Sequence, residues 1–136
     1  MSKISSLFYG KIQSYISERV KKVNNRFTLL KNAVAVHLEG ELDQYLAAEV
    51  KSRIDIEMEN AEKKNLIIDL EGVSLMDSSG IGLILGRYKI LKSLGGGIAI
   101  CSANESVRKV LKLSGIEKII KYYENIDEAD KAFKNK

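Results

Sequence analysis

The chain has 136 residues, 45% hydrophobic and 29% charged, which suits one domain that buries a core without metal or disulfide support. A single cysteine, Cys101, excludes an internal disulfide. No apolar run approaches the ~20 residues that span a bilayer, and the first residues lack a signal peptide's apolar block, so a cytoplasmic location is expected. The net charge of +4 suggests a polyanion partner only until it is divided along the chain. Residues 1–26 carry six basic residues and one acidic, whereas the other 110 carry 16 basic and 17 acidic, so the body has no nucleic-acid signal.

From Leu7 to Val23, apolar residues at Phe8, Ile12, Tyr15, Ile16, Val20 and Val23 keep helical spacing with lysines and arginines between them. This predicts a basic amphipathic helix weakened by Gly10. Phe27 to Leu38 turns to a β pattern, with FTLL and AVAVHL as two strands joined tightly at Asn32. Gly40-Glu41-Leu42-Asp43 is expected to close the second strand and open a loop. Gln44 to Glu62 places Leu46, Ala47, Val50, Ile54, Met58 and Ala61 on one helical face.

Leu66 to Leu70 is nearly continuous in apolar residues, as in a strand buried on both faces. The loop EGVSLMD is expected next, then a helix from about Ser79 to Leu94 ended by Gly95-Gly96-Gly97. Ile98 to Cys101 reads as a strand, Asn104 to Leu113 as a helix stopped by Gly115, Glu117 to Lys121 as a short strand, and Ile126 to Phe133 as a last helix. The order predicts an α/β domain: a mostly parallel sheet with an N-terminal antiparallel hairpin and covering helices.

The helix beginning near Ser79 has an unusual outer face. With Ser79 at 0° and about 100° per residue, Ile81, Ile84, Leu85, Tyr88 and Leu91 gather near 180° and suffice for a core. Near 0° lie Ser79, Leu83, Gly86, Ile90 and Ser93, with Gly82 at the flank and Arg87 and Lys89 at the edges. Such a small and apolar stripe suits close approach by another surface, whether a partner or another element of the same chain. Its two glycines cost roughly 1 kcal/mol each relative to alanine. Asp77, Ser78 and Ser79 stand where a helix N-cap belongs, and capping alone accounts for Asp77 and Ser78 as well as a binding role does. A phosphate on Ser79 would be tolerated by the helix N-terminus yet would oppose an apolar interface.

MDSSGIGLILGRYK, with HLEGELD upstream and the GGG-strand-helix tail, closely resembles the anti-sigma factor antagonists, small STAS-domain proteins of bacterial sporulation and stress pathways. The likeness runs from about Phe27 to Phe133. It implies a STAS fold and a partner-switching module. The unmodified protein would bind an anti-sigma factor that is also a serine kinase, freeing the sigma factor. That kinase would use ATP to phosphorylate the second serine of DSSG, Ser79, and a PP2C-type phosphatase would restore it. Asp43 of GELD would lie near the partner surface, its other reading being a turn or helix-cap aspartate. The expected partner-binding set is Asp43, Asp77, Ser78, Gly80, Gly82, Leu83, Gly86, Arg87 and Ile90.

The departure from the pattern is the N-terminal extension, expected as residues 1–26 ahead of a STAS domain at 27–136. A basic amphipathic helix there suits an anionic membrane, a partner groove, its own domain or a dimer contact. Enzyme chemistry finds little support. The only histidine, His37, reads as structural, and Ser79 lacks the Gly-x-Ser-x-Gly elbow. One His and one Cys make no metal set, the glycines are too sparse for a dinucleotide or phosphate loop, and no cofactor is implied. Cys101 reads as a small buried apolar residue, and Lys63-Lys64 and Arg108-Lys109-Lys112 as solvated helix faces. The alternative function is a STAS scaffold or structural subunit of a signalling or membrane-associated assembly, without kinase switching.

Overall fold

The computed structural model describes residues 26–134, so the helix expected within residues 7–23 lies outside the described residues. Strands β1 (Arg26–Leu29) and β2 (Val34–Leu42) form the leading antiparallel hairpin. They are followed by α1 (Gln44–Ala61), β3 (Asn65–Met76), α2 (Ser78–Ser93), β4 (Gly97–Cys101), α3 (Glu105–Ser114), β5 (Lys121–Tyr123) and α4 (Ile126–Ala132). The sheet order is β1-β2-β3-β4-β5, and the β2–β3, β3–β4 and β4–β5 pairs are parallel. This is the expected α/β architecture.

Period-two alternation sorts the strand residues between two layers. Val34, Val36, Leu38, Leu66, Ile68, Leu70, Ile98 and Ile100 face the larger core, closed by Val50 and Ile54 of α1, Ile84 and Leu91 of α2, and Val107 and Leu111 of α3. Their neighbours Ala33, Ala35, Ile67, Ala99 and Cys101 face a thinner core closed by Ala129 and Phe133. Three alanines on this face let the short α4 settle close to the sheet. Asn32 fastens the hairpin turn to α4, its amide N–H donating to Asp130 Oδ1 at 3.0 Å and its side chain to the Asp130 carbonyl at 3.1 Å.

Three segments differ from expectation. Gly40–Leu42 and Glu71–Met76 continue β2 and β3 instead of forming loops, pairing Glu39 with Gly72 and Leu42 with Met76 across two register shifts. Apolar alternation fails there because Glu39, Gly40, Glu41, Glu71, Gly72, Ser74 and Leu75 are exposed, so backbone pairing carries the extension. Gly72 permits it, since a Cβ there would lie 2.8 Å from the Leu38 carbonyl oxygen. The expected strand at Glu117–Lys121 is instead a 3-10 turn over Ile116–Lys118, and β5 begins at Lys121. Ile116 and Ile120 are both buried, a four-residue spacing that belongs to a helical turn.

Arg108 is a half-buried, paired charge instead of a freely solvated one. Its Nε and Nη2 donate to the Glu117 carboxylate at 2.8 and 3.0 Å, and its guanidinium lies 3.4 Å from the Tyr122 ring centroid. Lys109 and Lys112 on the same helix are exposed, as expected.

Candidate functional site

The paired ends of β2 and β3 set the geometry. Leu42 stands opposite Met76, so the next residues, Asp43 and Asp77, launch α1 and α2 side by side. The Asp77 amide donates back to the Leu42 carbonyl at 3.3 Å, tying the two helix starts together. Both aspartates are N-caps. Asp43 Oδ1 accepts from the Tyr45 and Leu46 amides at 3.1 and 3.0 Å, and Asp77 Oδ1 accepts from the Ser79 amide at 2.8 Å. Each cap satisfies donors that helix geometry leaves open.

Ser79 is therefore the second residue of α2, half-buried, while Ser78 is exposed. Exposure alone does not choose between the serines. What separates them is direction, because Ser79, Gly82, Leu83 and Gly86 follow one another at i, i+3, i+4 and i+7. Along that line a shallow groove of about 240 Å³ separates the helices. Ala47, Ala48 and Lys51 of α1 form one wall, and Gly82, Leu83, Gly86 and Arg87 the other.

The expected orientation of α2 needs one correction. Ile84 and Leu91 are buried and Ile81, Leu85 and Tyr88 half-buried, yet Gly80, Leu83 and Arg87 are buried as well. The inward face is thus turned by roughly 80° toward Leu83 and Arg87 at about 100° per residue. The cause is α1, which packs alongside and covers that flank. Leu83 at 6% and Arg87 at 4% exposure are not surface contacts in this arrangement, and neither is Gly80, where a Cβ would lie 2.4 Å from Met76 Cγ. Asp77, Ser78, Gly82 and Ile90 remain exposed and Asp43, Ser79 and Gly86 half-exposed.

Two residues escaped the sequence reading. Tyr45 is the second residue of α1, the counterpart of Ser79 on the neighbouring helix, and is 73% exposed. Its signal was the parallel between Asp-Gln-Tyr and Asp-Ser-Ser at matched strand ends, legible only once β2 was known to run to Leu42. Lys51 lies one helical turn beyond Ala47 and Ala48 and brings a cation to the groove.

His37 is engaged elsewhere: its Nδ1 lies 2.6 Å from Asp69 Oδ2 and its Nε2 2.8 Å from Thr28 Oγ1. As the chain's one imidazole, it leaves Ser79 without a histidine base. Among the described residues no group of three or more His, Cys, Asp or Glu could hold a metal ion, and no helix is long and apolar enough to cross a membrane. Burial pushes the Cys101 thiol up to about 11, with Asp69 and Glu71 adding to the shift against a hydrogen bond from Ser102.

A family model described as the STAS domain matches residues 15–129, starting within the expected extension. The anti-sigma F factor antagonist of Paenibacillus polymyxa is 36% identical over 95 residues, which cover 70% of this chain and 81% of that protein. The solved structure of the anti-sigma factor antagonist SpoIIAA in its unphosphorylated form aligns with a TM-score of 0.70 and 26% identity, covering 82% of this chain and 97% of that one. The Bacillus cell fate determinant SpoIIAA in its phosphorylated form aligns at 0.62 and 26%, covering 79% and 98%. Sheet order, helix placement and these likenesses agree, and the chain belongs to the STAS domain family.

Proposed function

We propose that this chain is an anti-sigma factor antagonist that works by partner switching. Its unphosphorylated form binds an anti-sigma factor with serine kinase activity and so releases a sigma factor; phosphorylation of Ser79 ends the binding, and a PP2C-type phosphatase resets it. The reading makes the chain a cytoplasmic binding protein, with no chemistry of its own and no cofactor.

The observation that carries it is the position of Ser79, second in α2 beside the start of α1, on the same helical face as Gly82 and Gly86, which line the groove between the two helices. A phosphate there adds about −1.5 to −2 charges. The positive end of the helix dipole tolerates that charge, so the fold survives. Asp77 and Asp43 already place two carboxylates at the neighbouring caps, so the added charge makes this end strongly anionic to an approaching partner. The names of the relatives, and the existence of SpoIIAA in phosphorylated and unphosphorylated forms, support the same reading.

The contact surface of this proposal is Asp43, Tyr45, Asp77, Ser78, Ser79, Gly82, Gly86 and Ile90, with Gly80, Leu83 and Arg87 beneath it. Incubation with the cognate anti-sigma kinase and ATP tests it. Intact-mass analysis should show one added phosphate on the wild type and none on Ser79→Ala, while Ser79→Ala still binds the kinase. Phosphate persisting on Ser79→Ala would sink the assignment.

A further inference from the structure

We propose that the seam between α1 and α2 holds a second binding site, for a small amphiphilic carboxylate of the alkyl-acid class. Arg87 would take the head group, and Ile54, Met58, Ile90, Leu91 and Leu94 the chain. A cavity of about 420 Å³ opens there between the C-terminal halves of the two helices, and these five residues make its apolar wall. Ile90 and Leu94, 43% and 56% exposed, form its mouth.

The buried polar feature is Arg87, which borders both this cavity and the groove lined by Gly82 and Gly86. It is 4% exposed, yet its Nε and Nη1 make no hydrogen bond. The carboxylate that meets it, Asp55, stands 3.4 Å from Nε on a side chain that is 49% exposed. A guanidinium carries five N–H donors in a rigid fork, and a buried charge is costly unless paired and hydrogen-bonded. One long, half-solvated ion contact leaves most of that fork unused. A cavity with mostly apolar walls and a few polar groups at its edge is the usual form of a small-ligand site, and Arg87 is the buried polar group of this one.

The lining selects the ligand class. An inorganic anion engages only the guanidinium, and an uncharged alkane only the walls. Glu59 and Glu62 join Asp55 on the α1 side, disfavouring a multiply charged phosphate or nucleotide despite Lys63 and Lys64 at the far end. A single carboxylate on an alkyl tail uses both the fork and the walls at the least repulsion. The site is independent of whether Ser79 is phosphorylated.

The test is an amide-resolved NMR titration of the full chain with octanoate, 1-octanol, acetate and inorganic phosphate. Octanoate should give saturable shifts at Met58, Ile90 and Leu94, with octanol, acetate and phosphate each about tenfold or more weaker, as loss of a charge-assisted bond or of the tail implies. Leu94→Glu, at an exposed position, should weaken octanoate by about tenfold with the remaining spectrum unchanged. Arg87→Gln should erase the preference for octanoate over octanol; if that variant does not fold, Leu94→Glu and the octanol comparison decide. Octanol binding as tightly as octanoate, phosphate binding more tightly, non-saturating shifts, or octanoate binding unchanged in Leu94→Glu would each overturn the proposal.

Discussion

Replacing Gly82 or Gly86 by alanine should stabilise the protein while weakening its partner contact. Both glycines lie inside α2, where glycine is about 0.8–1 kcal/mol less favourable than alanine. A Cβ built on either meets nothing within 4 Å outside the helix's own nearby backbone, so no clash offsets the gain. Each substitution should therefore raise the unfolding free energy by about 0.5–1 kcal/mol, and the pair by about 1–2 if they act independently. For a domain of this size 1 kcal/mol corresponds to roughly 4 °C in Tm. Urea unfolding followed by helical circular dichroism gives the number, with an unchanged m-value expected. Gly80→Ala is the internal contrast: its Cβ would lie 2.4 Å from Met76 Cγ and 2.6 Å from Met76 Sδ, so it should destabilise. Loss of stability in Gly82→Ala or Gly86→Ala would refute the geometry. Gain of stability with undiminished partner binding would refute the reading that bare backbone serves contact.

Asp43→Ala should cost about 1 kcal/mol through its two lost capping bonds, whereas Asp43→Asn keeps the cap. Partner binding lost in the Asn variant at wild-type stability would then assign the charge itself to the interface, and binding retained would leave Asp43 as a cap alone. Cys101, with its thiol pushed up to about 11, should resist thiol reagents at pH 8 and label at the rate of unfolding; rapid labelling without denaturant would contradict its burial. The hydrogen bond from Arg108 holds the Glu117 carboxyl below its usual 4.5. A depressed folded value means stability that is fully present above 4.5 and lost as pH falls through the folded value. The destabilisation of Glu117→Gln relative to wild type should thus be constant from pH 7 to about 5 and shrink below 4.5, as paired urea titrations would show; a difference that grows on acidification would reverse the assignment.

The elements that carry the larger core were legible because their apolar residues keep one period without interruption. Leu46, Val50, Ile54 and Met58 turn inward together, and AVAV and LIID divide cleanly between the two sheet faces. The second halves of β2 and β3 were not legible, because exposed Glu39, Glu41, Ser74 and Leu75 leave no alternation to read. They are held by pairing with each other, a relation between residues more than 30 positions apart that no local window contains. The turn at Ile116–Lys118 failed for the opposite reason: a short apolar run fits a strand and a helical turn equally until the partner of each side chain is known.

The same reasoning explains why the helical face that carries Ser79 is legible in the sequence while its surroundings are not. A helical wheel fixes which residues of α2 share a face, and Ser79, Gly82 and Gly86 do share one. It does not fix which face is inward, since Ile81, Ile84 and Leu85 offered as apolar an arc as Gly80, Leu83, Ile84 and Leu91. That choice is made by α1, whose position follows from β2 reaching Leu42 and handing over at Asp43. Once α1 lies against Leu83 and Arg87, the face that Ser79 shares with Gly82 and Gly86 runs along a two-helix groove instead of standing as a bare stripe. Under the proposed function, a charge at Ser79 would act on a partner that touches both helices, so exposed Tyr45 and the groove-lining Lys51 of α1 would meet that partner together with Gly82 and Gly86 of α2.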